Sequence, residues 1–146
     1  MFTPGVTKSL EETIAFAERR HAILAGNLAN MDTPGYKTRD LSVSDFQDSL
    51  KQLMATEKLR GVPPSPGDGS LNAASGANSS HLAHEQAVRE VRDASTQVVY
   101  HDGSDDNLET QIAEIAKNQS MHSTAVALLK SQYRTMQMAI SGNVSV

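Results

Sequence analysis

At 146 residues the chain has room for one ordinary domain, or for a few long elements joined by linkers. It has no cysteine, which excludes disulfide frameworks, Cys-based zinc sites and thiol catalysis. A formal net charge of −4, only 4% aromatics and no tryptophan argue against a nucleic-acid binder built on phosphate contacts or stacking platforms. Hydrophobic residues are 38%, low for a deep single core but enough for amphipathic helices that bury one face on partners. Met1-Phe2-Thr3-Pro4-Gly5 has neither a basic stretch nor an apolar run, so no cleavable secretory signal is expected. No segment approaches the roughly 18 apolar residues of a membrane span.

The first element expected is a helix over Thr7–Met31. Ser9 and Glu12 have the spacing of a capping box. Leu10, Ile14, Ala17, His21, Leu24, Leu28 and Met31 alternate steps of four and three, the rhythm of a heptad seam. A second line, Phe16 and Ile23 with Ala22 and Ala25, widens the apolar face, so the helix should touch more than one neighbour. Thr33-Pro34-Gly35 then reads as a turn, with Pro fixing φ and Gly free to take a positive value.

A short helix is expected from Asp45 to about Lys58, capped by Ser44 and Gln47, with Phe46, Leu50, Leu53 and Met54 as its stripe. In Gly61–Ser80, 14 of 20 residues are Gly, Pro, Ser or Asn, a composition that reads as a flexible loop. A helical pattern is weak over Leu82–Arg92, Thr96–Tyr100 is β-prone, and His101-Asp102-Gly103 makes a turn. The last element, Asn107–Ser141, carries the strongest helical signal. Its seam runs through Leu108, Ile112, Ile115, Gln119, His122, Val126, Leu129, Tyr133, Met136 and Ile140, and Gly142 is a natural stop. The expected fold is therefore mainly α. Long N- and C-terminal heptad helices (1–31 and 107–146) form an elongated bundle, and 32–106 is a loop-rich middle with a short helix and a short β segment. The C-terminal helix, roughly 52 Å long, has more apolar face than its shorter partner can cover, so the surplus asks for other chains.

Candidate chemistry is thin. His81 and His84 form H-x-x-H, but a metal would need a third ligand from elsewhere. Asp102, Ser104, Asp106 and Glu109 faintly suggest a calcium loop, yet Asn107 stands where Gly is required. Glu18-Arg19-Arg20-His21 reads as a solvated charge run, or as an arginine pair that docks a partner. His21 and His122 fall within the seams and are expected to be packed there.

Residues 23–37, Ile-Leu-Ala-Gly-Asn-Leu-Ala-Asn-Met-Asp-Thr-Pro-Gly-Tyr-Lys, strongly resemble the N-terminal signature of the bacterial flagellar rod and hook family. That signature is approximately N-(I/L)-A-N-x-x-T-P-G-(Y/F)-K. The matching positions are Asn27, Leu28, Ala29, Asn30, Thr33, Pro34, Gly35, Tyr36 and Lys37. Lys37-Thr38-Arg39-Asp40-Leu41, Asp45-Phe46, Asn107-Leu108-Glu109 and Ala116-Lys117-Asn118 are similar to the small proximal-rod members. In physical terms, Asn27 and Asn30 can bond backbone groups as the helix ends. Pro34 and Gly35 set a fixed exit angle, and Tyr36 can pack its ring with its hydroxyl in water.

The resemblance implies a structural subunit of the flagellar basal-body rod, with no enzyme activity and no cofactor. It implies export by the flagellar type III apparatus without a cleaved signal, residence in the periplasm and transmission of torque. The implied partners are copies of itself in a helical array, the rod proteins FlgC, FlgF and FlgG, the adaptor FliE, and the MS ring and export gate. Nucleic acid and small-molecule substrates are not expected. Another small rod subunit of the FlgC kind remains open, as does a cytoplasmic coiled-coil adaptor or export chaperone. The adaptor shares the heptads but leaves the turn motif without a reason. A metal-dependent enzyme would have to rest on His81 and His84.

Overall fold

The computed structural model describes residues 4–60, 72–97 and 108–142. The expected turn at His101–Gly103, the acidic residues around Asp106 and the end of the β-prone segment lie outside them. In chain order the elements are α1 (Pro4–Ala29), β1 (Arg39–Leu41), α2 (Val43–Arg60), α3 (Asn72–Asp93), β2 (Ser95–Gln97) and α4 (Leu108–Ser141). The fold is mainly α.

Helix α1 is helical from Pro4, three residues before the expected start, so Ser9 is no cap. Its hydroxyl donates back to the carbonyl of Val6 at 2.8 Å, inside the helix. A proline in the first turn loses nothing, because its missing N–H would have had no partner there. Helix α2 also begins earlier than expected. Its cap is Ser42, whose Oγ accepts from the Asp45 amide at 3.3 Å, instead of Ser44.

The largest departure is α3. Its 22 residues begin at Asn72, inside the stretch expected to be loop, and absorb the weak helical pattern of Leu82–Arg92. Ala73, Ala74 and Ala77 favour helix locally, while Val88 and Val91 pack into the core. Burial of Val88 and Val91 in its second half favours the helix despite a first half whose composition argued against one. Ion pairs of Lys8 with Glu85, and of Arg92 with Glu12 at 3.6 Å, fasten α3 to α1.

The core is formed by Phe16, Leu41, Phe46, Leu53 and Val88, with Ile23, Val43, Leu50, Val91 and Met121 around it. The rings of Phe16 and Phe46 stack with centroids 4.0 Å apart and planes at 13°. The middle segment thus supplies four of the five central core residues, Leu41, Phe46, Leu53 and Val88. Strands β1 and β2 pair antiparallel with Arg39 opposite Gln97 and Leu41 opposite Ser95, so Thr96 and Gln97 of the β-prone segment are extended as expected.

Helix α4 lies against the other face of α1, antiparallel to it. Arg20 meets Glu114, and three residues earlier on α1 the carbonyl of Ala17 meets Asn118. The buried line on α4 is Gln111, Asn118 and Ala125, seven residues apart and small or polar. Short side chains there let the two helices approach closely. With 34 residues against 26, α4 is about 12 Å longer than α1, and its surplus emerges at its C-terminal end. Gly142, at φ +66°, ends it. No described helix is long and apolar enough to cross a membrane.

Candidate functional site

The motif shared with rod proteins begins where α1 runs out. The Asn30 amide reaches the carbonyls of Gly26 and Asn27, and its side chain donates to Gly26 at 2.8 Å. The helix end is thereby closed from two sides. The Thr33 amide then donates to Asn30 at 3.0 Å, and the Tyr36 amide to Thr33 at 3.1 Å. Pro34 and Gly35 are the two central residues of that last turn, and Gly35 has φ +76°. Proline followed by a glycine of positive φ is the chemistry of a type II turn.

Asn27 is the hub of the motif and only 2% exposed. Its Nδ2 donates to the carbonyl of Arg39 at 2.6 Å, and its Oδ1 accepts from the Arg39 amide at 3.1 Å. The amide side chain thus serves the first residue of β1 as a neighbouring strand would. The Tyr36 hydroxyl is not left in water: it donates to the same Oδ1 at 3.2 Å. Leu28, Ala29, Thr33, Pro34, Gly35 and Lys37 are exposed around this hub.

Arg20 is the second hub, and the charge run is not uniformly solvated. Glu18, Arg19 and His21 are exposed, but the Arg20 side chain is 6% exposed. Its Nε and one terminal nitrogen donate to the Asp40 carboxylate at 2.8 and 2.6 Å, and that nitrogen also meets Glu114 at 2.8 Å. One guanidinium therefore ties α1 to β1 and to α4. Its pKa is raised, chiefly by the hydrogen bond to Asp40, against the opposing effect of burial and with the help of Glu114.

The expected seam residues fall into three groups. Leu24 is buried; Leu10, Ile14, Ile115, Val126, Leu129 and Met136 are half-buried; Leu28, Ile112 and Ile140 are exposed. The line Ile112, Gln119, Val126, Tyr133 and Ile140 flanks the buried Gln111–Asn118–Ala125 line: Val126 is half-buried, the Tyr133 hydroxyl donates to Glu11 of α1 at 3.0 Å, and Ile112 and Ile140 are left at its two ends. Ile112 is 51% and Ile140 79% exposed. An apolar heptad line in contact with water is a surface for another helix. Seven-residue spacing of Gln111, Asn118 and Ala125 was visible in the sequence, but a search for large apolar residues passes over it.

His122 is half-buried, with Nε2 3.7 Å from Glu18, while His21 is exposed; both line a cleft between α1 and α4 rather than a packed seam. His81 lies outside the residues whose side chains are described. Among the described residues no three His, Asp or Glu side chains are grouped to hold a metal ion.

The model of the family "Flagella basal body rod protein" matches residues 12–37, the stretch from α1 through the Pro34–Gly35 turn. The flagellar basal body rod protein FlgB of Salmonella typhimurium (strain LT2) is 29% identical over 139 residues, 90% of each chain. FlgB of Bacillus subtilis (strain 168) is 19% identical over 140 residues, 94% of this chain and 95% of its own. FlgB of Escherichia coli (strain K12) is 43% identical over 44 residues, 30% of each chain. The family segment covers the closed helix end and the turn, and two of the FlgB matches run along nine-tenths or more of the chain, so the chain is similar to flagellar basal body rod proteins, which are structural proteins, over most of its length.

Proposed function

We propose that the chain is a subunit of the proximal part of the flagellar rod. It assembles helically in the periplasm, joins the MS ring and export gate to the distal rod, and transmits torque. In this reading it leaves the cell interior through the flagellar type III apparatus without a cleaved signal. Its neighbours are copies of itself, FlgC, FlgF and FlgG, and the adaptor FliE.

The observation that carries the reading is the set of exposed apolar residues on α4, in a chain that is similar to FlgB along nine-tenths of its length. A helix pair pinned internally through Arg20 and Asn118, with Ile112, Met138 and Ile140 left outside, is suited to bundle with neighbouring helices. Because the same surface would recur on every copy, contacts of this kind propagate into a filament.

Fractionation of flagellated cells tests the proposal. The chain should co-purify with detergent-resistant basal bodies. If it stays wholly in the soluble cytoplasm, the rod reading falls and an adaptor or chaperone takes its place.

A further inference from the structure

We infer that the cleft between α1 and α4 at Asn118 receives the distal half of α4 from a second copy of this chain, with the Arg134 guanidinium as the group that enters it. The inference rests on the rod-subunit reading and goes further by naming both faces of one contact between subunits.

The receiving face is a cleft of about 160 Å³ lined by Ala17, Glu18, His21, Asn118, Gln119 and His122. Asn118 is 1% exposed, and its Nδ2 donates to the Ala17 carbonyl at 2.8 Å. Its Oδ1 is buried and has no hydrogen-bond partner among the described residues. The carboxylate of Glu18 stands at the rim, its side chain 67% exposed. The cleft thus offers a negative acceptor at its mouth. A guanidinium answers that charge, with several donors held in one plane.

The entering face is on the same chain. From Ile115 onward α4 contains no acid, while it carries Lys117, Lys130 and Arg134. Lys130 and Arg134 are exposed and have no ion-pair partner among the described residues. They share a shallow concave patch with Ala127, Ser131, Tyr133 and Gln137. Exposed Tyr133, Met138 and Ile140 supply apolar area beside the charges. Arg134 cannot reach the cleft of its own chain, because sixteen residues of continuous helix hold it about 24 Å from Asn118. The contact is therefore between copies, and joining two different faces it does not close on itself.

The absence of cysteine makes the contact testable in place. Gln119 lies in the receiving cleft and Gln137 one turn beyond Arg134, both exposed. A chain carrying both Gln119→Cys and Gln137→Cys cannot bridge internally, since the two sites are about 27 Å apart on one helix. Oxidised basal bodies containing this chain should give a ladder of covalent multimers on a denaturing gel, and neither single variant should. Adding Arg134→Glu should reduce the ladder at least tenfold, and adding Glu18→Arg as well should restore it.

Basal bodies that contain the double-cysteine chain but give no ladder would overturn the contact and leave the rod reading standing. A ladder indifferent to Arg134→Glu would overturn the role of Arg134. If the cysteines bar the chain from basal bodies, the charge variants decide without them. Exclusion of Arg134→Glu with readmission of Glu18→Arg/Arg134→Glu supports the contact, and normal entry of Arg134→Glu refutes it. Absence of the wild-type chain from basal bodies refutes the rod reading itself.

Discussion

Asn27 holds Arg39 by both of its backbone groups, giving a hydrogen bond to the carbonyl at 2.6 Å and accepting one from the amide at 3.1 Å. Ten residues after α1 ends, the chain is thereby brought back beside the helix it has just left. Replacing Asn27 with Ala removes the partner of both Arg39 groups and of the Tyr36 hydroxyl. We expect a loss of about 2–3 kcal/mol, from two net hydrogen bonds and the exposure of their partners to an apolar site. Asn27→Asp should not rescue, because it has no donor for the carbonyl. Thermal unfolding followed by circular dichroism checks this; an Ala variant that melts with the parent would remove Asn27 from its place as hub.

Arg20 serves two carboxylates from a nearly buried position. Arg20→Leu leaves Asp40 and Glu114 without their shared cation and should cost about 2–4 kcal/mol, below the range for a fully buried pair because both acids keep some exposure. Arg20→Lys keeps the charge but not the two-pronged contact with Asp40, and should fall between. The guanidinium pKa is raised, so its contribution is fully present below the ordinary arginine value and is lost only as pH rises beyond it. Arg20 itself therefore adds no pH dependence near neutrality, and urea midpoints at pH 6 and 8 should shift equally for parent and Leu variant as far as this residue is concerned.

Gly35 has room for a side chain but the wrong backbone for one: nothing lies within 4 Å of an added Cβ, while φ is +76°. Gly35→Val should cost about 1–2 kcal/mol through backbone strain alone, and Gly35→Asn less, since asparagine tolerates this region. Swimming motility and melting temperature should rank Gly, Asn, Val in that order. Equal behaviour of Asn and Val would point to a relaxed turn.

Ile112 and Ile140 separate folding from assembly. Both are exposed, so changing each to Asp should move the melting temperature little, within about 0.5 kcal/mol. Incorporation into basal bodies should nevertheless drop sharply if this line meets a neighbouring helix. Leu24→Asp, at 2% exposure, should instead unfold the α1–α4 pair. Normal motility with both isoleucines changed would remove the line from the assembly surface.

The ends of the chain were readable because helix periodicity is a local property. The four–three spacing placed α1 and α4, Gly142 marked the end of α4, and Pro34-Gly35 marked the turn. The rod-family motif was readable for the same reason: its residues are close in sequence and their spacing is fixed. What was misread depended on distant residues. Arg20 looked like part of a solvated run because Asp40 and Glu114, twenty and ninety-four residues away, are invisible beside it. Residues 72–80 of the Gly/Ser/Asn-rich stretch looked like loop because the helix they open is anchored further along, where Val88 and Val91 enter the core; residues 61–71 lie outside the described residues.

The sequence by itself determined two long terminal helices, a closed helix end with a sharp turn, and the absence of thiol chemistry. The tertiary structure decided which of two adjacent lines on α4 meets α1. It chose the small and polar line of Gln111, Asn118 and Ala125, because short side chains allow close approach and Asn118 can bond the Ala17 carbonyl. Of the larger apolar residues that periodicity favours, Ile115, Val126, Leu129 and Met136 are half-buried beside that line, while Ile112 and Ile140 are left exposed. That choice depends on how two helices fit, and no one-dimensional pattern contains it.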